Sequence, residues 1–416
     1  MRGLGARRGG SPERDHLVIG LITLGHFFAH FYIIVLPPLF PVLAEALGVG
    51  YTELGIALAL LNLVTMLTQA PIGVVVDRYG PAAILIAGQA LFALSTLGIG
   101  LFPSYAALLL FCALGGLGNA VYHPADYAIL NARVTPKRMG RAFSFHTFGG
   151  YAGFAAAPPV LVALAAALGW RAALVITGLA GLLVALLMFL WRRELHVPPH
   201  PSTVKGEGGL RRDLSLLLSR PVLLSLLFVT FYATAHGGFN NFTVAFLESA
   251  YGFALAAANA PLTAFLVMGA LGVLAGGMIA DRMPRHERVV ALCLALVAAV
   301  AVLVAEFRLP LLALVPLFAL AGFATGVVAP SRDMLVRSIT PPGAMGKVFG
   351  FVTTGFNIAG LAAPPLFGLV LDYGRPAQLM WLVALLAIAT LPAVFATATS
   401  RQPGQPTATA GPFSRQ

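Results

Sequence analysis

The chain has 416 residues, of which 59% are hydrophobic and only 10% charged, far below the roughly 25% charged residues of an ordinary soluble domain. That balance excludes a soluble fold and reads as an integral membrane protein. The formal charge of +11, from 26 Lys+Arg against 15 Asp+Glu, does not indicate nucleic acid. The basic residues fall in short connections between apolar runs, and none of them forms a run interleaved with base-stacking aromatics.

A membrane-crossing helix needs about 20 mostly apolar residues, and twelve such runs are predicted in chain order. In the first half they cover roughly 16–43, 52–76, 80–102, 104–133, 140–168 and 170–191. In the second they cover roughly 220–249, 255–280, 288–306, 308–338, 344–372 and 376–397. The first run follows a basic start (Arg2, Arg7, Arg8, Arg14). It is about twice the length of a signal-peptide core, so it is read as a span and not as a cleaved leader. Cys112 and Cys293 sit singly in separate apolar runs, without the spacing of a disulfide framework or a zinc site.

The domain plan that follows is a tail at 1–15, a six-helix bundle at 16–191, a polar linker at 192–219, a second six-helix bundle at 220–397 and a tail at 398–416. Lys and Arg cluster on one side when the N-terminus is placed inside: Arg78, Arg133, Lys137, Arg138, Arg141, the linker cations, Arg282, Arg285, Arg288, Arg337 and Lys347. Only Arg171, Arg308 and Arg375 lie opposite. Both termini are therefore expected to be cytoplasmic.

Two repeats organise the chain. "HPADYAILNARVTPKRMGRAF" (123–143) returns as "APSRDMLVRSITPPGAMGKVF" (329–349), and "AAAPP" (155–159) as "LAAPP" (361–365), at an offset of 206. Pro124/Pro330, Met139/Met345, Gly140/Gly346, Phe143/Phe349 and Pro158/Pro364 keep that offset, with a one-residue slip at Thr135/Thr340. Two six-helix halves related by a parallel repeat follow, with a cavity expected at their interface. "GVVVDRYG" (73–80) and "GMIADRMP" (277–284) share Gly-x-x-x-Asp-Arg, where the glycine permits close helix approach.

On these features the chain resembles a transporter of the major facilitator superfamily over about residues 16–397, and Gly73-x-x-x-Asp77-Arg78-x-Gly80 is similar to that family's loop between helices 2 and 3. Pro81 and Ala82 stand where the loop often carries cations, and the fourth helix lacks the intramembrane Arg common in proton-coupled drug antiporters. "GGLGNAVYHP" (115–124) and "FGGYAGFAAAPP" (148–159) are similar to fosmidomycin-resistance-type members, although Ala157 replaces a glycine that usually precedes the proline. The resemblance implies an all-α membrane protein of twelve transmembrane helices in two pseudo-symmetric six-helix bundles. Helices 1, 4, 7 and 10 would surround the cavity. Asp77, Arg78, Asp281, Arg282, Arg332 and Asp333 would belong to a cytoplasmic gate, Arg332 and Asp333 having an anion-binding role as their alternative.

Several polar residues inside spans are candidates for a substrate and proton pathway, because ionisable groups in lipid are costly and usually face an interior or a cavity. His26 and His30, in "HFFAH", are spaced to share a helix face. At the repeat offset they become Tyr232 and His236, in "YATAH". Asn119, Tyr122, His123 and Asp126 follow helical spacing in the fourth span, and a carboxylate near an imidazole can exchange a proton. The alternatives are neutral histidines bonding neighbouring helices, and Asp126 as partner to a helix-end cation such as Arg133. Asn62, Gln69, Tyr151, Asn240, Asn241 and Asn357 suit substrate contact or helix bridging. His146 opens the fifth span. The paired prolines of the two "APP" sequences are read as helix bends.

No phosphate-binding glycine loop, nucleophile elbow or zinc-protease signature occurs in a convincing setting, so neither an enzyme nor a cofactor is expected. The expected function is a monomeric secondary transporter of the cytoplasmic (inner) membrane, working by alternating access and exporting a small organic molecule in exchange for protons. Proton-coupled uptake of an organic anion, a transition-metal exporter and a non-transporting receptor stay open. Membrane lipid, a small-molecule substrate and protons are the expected partners, and nucleic acid is not among them.

Overall fold

The computed structural model describes residues 12–198, 210–283, 285–341 and 344–399. The stretch 1–11 with Arg2, Arg7 and Arg8, residues 199–209 of the linker with Lys205, Pro284, residues 342–343 and the tail from 400 onward lie outside the described residues. Twelve helical spans are long and apolar enough to cross a membrane. Spans 1 to 6 are Glu13–Leu47, Tyr51–Tyr79, Pro81–Leu101, Tyr105–Arg133, Pro136–Leu168 and Trp170–Leu190. Spans 7 to 12 are Arg220–Tyr251, Leu255–Arg282, His286–Glu306, Leu311–Ile339, Lys347–Asp372 and Pro376–Thr399. No strand occurs among the described residues.

Two spans are broken where the sequence predicts continuity, and proline is the reason each time. Span 1 runs as a helix over Pro12–Ile33, then a 3-10 turn over Pro37–Leu39, then a helix over Phe40–Leu47. Pro37 and Pro38 lack the N–H that would continue the ladder. Span 4 divides into Tyr105–Asn119 and Tyr122–Arg133. Pro124 cannot donate to the carbonyl of Ala120, so a new helix starts just ahead of it and keeps the proline in the first turn. Pro158–Pro159 and Pro364–Pro365, by contrast, lie inside single helices, Met139–Leu168 and Met345–Asp372. Gly80, at φ +89°, turns the chain between spans 2 and 3, and Pro81 starts the next helix.

The chain divides into two compact units, Met1–Leu36 with Leu60–Val204, and Pro37–Ala59 with Lys205–Gln416. In the first, Gln89 ties spans 3, 4 and 6 together. It accepts from the Tyr122 hydroxyl at 2.7 Å and donates to the Gly181 carbonyl at 3.0 Å. Tyr32 of span 1 donates to the Thr177 carbonyl of span 6 at 2.8 Å. Asp15 accepts from the Thr135 hydroxyl at 2.7 Å and lies 3.4 Å from Arg138. Glu194 pairs with Arg14, and its carbonyl accepts from Arg133 at 2.7 Å.

The second unit holds two apolar clusters, one with Phe228, Leu294, Val328 and Val394, the other with Val229, Val336, Val348 and Val352. Phe239 stacks on Phe265 at 5.1 Å and meets Phe318 edge-on. The stretch 37–59 packs into this unit. Asp372, at the end of span 11, accepts from the Tyr51 N–H at 2.8 Å, the Thr52 N–H at 2.7 Å and the Thr52 hydroxyl. The carboxylate thus satisfies the free amides at the start of the span 2 helix and meets the positive end of its dipole.

Candidate functional site

A close approach between spans 1 and 5 shapes the interior of the first unit. A Cβ at Gly153 would run into the Phe27 carbonyl, and one at Gly149 would come 2.7 Å from the Thr23 carbonyl, so glycine on this face lets the two backbones meet. Gly150 lies beneath the imidazoles, where a Cβ would sit 3.0 Å from the His30 ring and 3.1 Å from His26. The glycines therefore make the space that the histidines fill.

Into that space span 4 presents Asp126, whose exposure is 0%. Its Oδ2 lies 3.0 Å from His146 Nε2 and 3.2 Å from His26 Nδ1. The first contact is a hydrogen bond, whereas the second is at ion-pair distance without hydrogen-bonding geometry. The His26 and His146 rings stack at 3.7 Å. His30 lies 4.5 Å from His26 and 4.5 Å from Phe154, and His123 lies 5.4 Å from His26. Asp126 Oδ1 and His30 Nδ1 are buried without a hydrogen-bond partner among the described residues. A buried carboxylate is costly unless compensated, and the neighbours able to compensate it here are imidazoles. One proton held on either touching ring would make the trio electrically neutral.

The four expected residues of span 4 do not share one environment: the break at Ala120–Val121 separates Asn119 from the other three, and within the helix Tyr122–Arg133 His123 falls on a different face from Tyr122 and Asp126. Asn119 donates to the Thr65 hydroxyl at 3.4 Å. Tyr122 is buried against Gln89, Asp126 is buried among imidazoles, and His123 is exposed, stacked at 5.8 Å on the exposed Tyr127. His146 was not among the pathway residues expected from the sequence, yet it makes the hydrogen bond to Asp126. A signal existed: Asp126 lies seven residues before Arg133 and His146 seven after Met139, so antiparallel helices joined by the short connection between them bring both to one depth.

In the second unit, Tyr232 donates to the Thr325 carbonyl at 3.0 Å and its ring lies 6.3 Å from His236. His236 is half-buried, 5.4 Å from Phe265, with Nδ1 lacking a hydrogen bond among the described residues. Asn240 donates to the Asn241 side chain at 3.3 Å, and Asn357 is half-buried with no side-chain hydrogen bond among the described residues. Arg332 pairs with its neighbour Asp333 at 2.8 Å and lies 5.0 Å over the Phe356 ring. Asp77, Arg78, Asp281 and Arg282 are exposed, and none makes an ion pair among the described residues.

The chain is similar to known proteins in sequence and in fold. It is 26% identical over 347 residues to the uncharacterized MFS-type transporter YfnC of Bacillus subtilis (strain 168), covering 81% of this chain and 82% of that one. It is 24% identical over 372 residues to the fosmidomycin resistance protein of Escherichia coli (strain K12), covering 86% of each. Its fold is similar to the crystal structure of a bacterial homolog to the human lysosomal transporter Spinster, in inward-facing and occupied conformation. The TM-score is 0.79 at 17% identity, over 95% of this chain and 100% of that one. The profile of the Major Facilitator Superfamily matches residues 22–307 and 226–415, so the chain belongs to that family of multi-pass membrane transporters for small molecules, which are not enzymes.

Proposed function

We propose that this secondary transporter exports a small organic molecule across the cytoplasmic membrane in exchange for protons, working by alternating access as a monomer. The observation that carries the reading is Asp126, fully buried inside a span with one oxygen shared between His26 and His146. A carboxylate between two imidazoles can take a proton from one side and release it to the other by changing neighbours, without leaving a bare charge in the membrane interior. His30 and His123 extend the chain of rings on either side. Tyr122, Asn119, Tyr232, His236, Asn240, Asn241 and Asn357 are assigned to the substrate and proton pathway. The exposed charges Asp77, Arg78, Asp281 and Arg282, with the Arg332–Asp333 pair, are assigned to the cytoplasmic gate. The relative named for fosmidomycin resistance supports the outward direction.

The proton gradient is an adequate source of energy, since one charge crossing 100 mV yields about 2.3 kcal/mol. The test is flux in proteoliposomes under an imposed pH gradient of each sign. Export driven by inward proton movement, lost in Asp126→Asn while substrate exchange without a gradient persists, is the expected result. Unchanged pH-driven flux in both Asp126→Asn and His146→Gln removes these residues from coupling. Accumulation of an organic anion together with protons replaces export by uptake.

A further inference from the structure

The buried trio has a second chemistry that proton exchange does not use. We infer that His26, Asp126 and His146 form a binding site for one divalent transition-metal ion of the zinc class, and that occupancy arrests proton-driven transport. The binding half stands on geometry alone. The arrest half rests on the proton reading above.

Three spans contribute one donor each, and the donor atoms all lie within 4.8 Å of one another. Zinc–nitrogen bonds of about 2.0–2.1 Å in a tetrahedral site place neighbouring donors roughly 3.3–3.4 Å apart. The two distances to the shared Asp126 oxygen are 3.2 and 3.0 Å, so these two pairs need to spread by only a few tenths of an ångström, and the two ring nitrogens lie within 4.8 Å of each other. A pure hydrogen-bonded relay leaves Asp126 Oδ1 buried without a partner and His26 Nδ1 outside hydrogen-bonding geometry. A cation satisfies both, because the carboxylate can turn either oxygen to it and an imidazole coordinates through the very nitrogen that is unmet.

The donor set selects the ion. Two imidazoles and one carboxylate suit zinc, cobalt or nickel, while magnesium and calcium prefer oxygen donors throughout. Three protein ligands leave a fourth position open, and the His30 ring lies 4.5 Å from His26, one helical turn on, with a buried Nδ1 that has no hydrogen-bond partner among the described residues. An ion held there occupies the nitrogens and the carboxylate that would otherwise carry the proton, because ligands must be deprotonated to bind. Among the described residues of the second unit there is no equivalent cluster, and Val352 stands at the repeat position of His146.

The test uses full-length protein without a polyhistidine tag, in lipid nanodiscs, titrated with CoCl2 and followed by the visible d–d absorption of the bound ion. One Co²⁺ per chain, displaced by ZnCl2, is expected. Apparent affinity should fall at least about 10-fold in Asp126→Asn and in His146→Gln, since even outer-shell changes cost that much, and should be retained in His236→Gln. ZnCl2 should also raise the thermal midpoint of the wild type and not of His146→Gln, which guards against misreading a misfolded variant. An absent band, or binding unchanged in both variants, overturns the site. Binding without loss of pH-driven flux overturns the arrest. Failure of metal-free Asp126→Asn to lose pH-driven flux overturns the proton reading and leaves the Co²⁺ result standing.

Discussion

The two halves of the repeat carry different chemistry at matching sequence positions. In the first unit His26 and His30 meet Asp126, His146 and His123. At the 206-residue offset these positions are Tyr232, His236, Arg332, Val352 and Ala329. Tyr232 is spent on the Thr325 carbonyl, Val352 belongs to an apolar cluster, and Arg332 pairs with its own neighbour. Gly149 and Gly355 both allow close helix approach, but Gly150, which clears space for the imidazoles, is matched by Phe356, over which Arg332 lies. The close helix approach at Gly149 recurs at Gly355, while among the described residues only the first unit gathers a titratable cluster, so the coupling proposed above would be asymmetric.

The largest effect should come from attacking that asymmetry directly. Asp126→Asn should lower pH-driven flux by more than about 10-fold, equivalent to at least roughly 1.4 kcal/mol, while Val352→Ala, at the repeat position of His146 in the second unit, stays within a few-fold in the same proteoliposome assay. Equal losses in the two variants would break the comparison.

Next comes the packing that creates the site. Gly153→Ala forces a methyl group onto the Phe27 carbonyl and should cost about 1–3 kcal/mol, as overpacking does. Gly140→Ala, with open space around it, should be nearly silent. Thermal midpoints of the two purified variants check this.

A smaller loss is expected from the second unit's own polar anchor. Asp372→Asn keeps an acceptor for only one of the Tyr51 and Thr52 amides, which bond different oxygens of the carboxylate, and removes the charge facing the helix start. It should destabilise by about 0.3–1 kcal/mol, less than Asp372→Ala, and denaturation midpoints in nanodiscs rank the two.

A further contrast compares two tyrosines, one in each unit. Tyr122→Phe leaves the buried Gln89 Oε1 without its 2.7 Å donor and should cost about 1–3 kcal/mol if no water enters. Tyr232→Phe removes a second bond from a carbonyl inside a helix, for about 0.5–1.5 kcal/mol. The difference between their thermal midpoints is the measurement.

Much of this was legible because lipid imposes a simple rule. Without water, every backbone polar group must bond within its own segment, so apolar runs of sufficient length become helices, and the twelve expected spans coincide with those observed to within a few residues. The breaks at Pro37–Pro38 and ahead of Pro124 were harder to read, because Pro158–Pro159 and Pro364–Pro365 sit inside continuous helices under the same local rule.

The amino-acid order alone determined the helical class, the spans, the duplication and the presence of imidazoles and a carboxylate where charge is expensive. Which of those groups touch was decided only in three dimensions. His146 reaches Asp126, His123 turns to an exposed face and Tyr122 is consumed by Gln89 because glycine contacts between spans 1 and 5 and the break in span 4 set distances that no spacing along a single helix encodes.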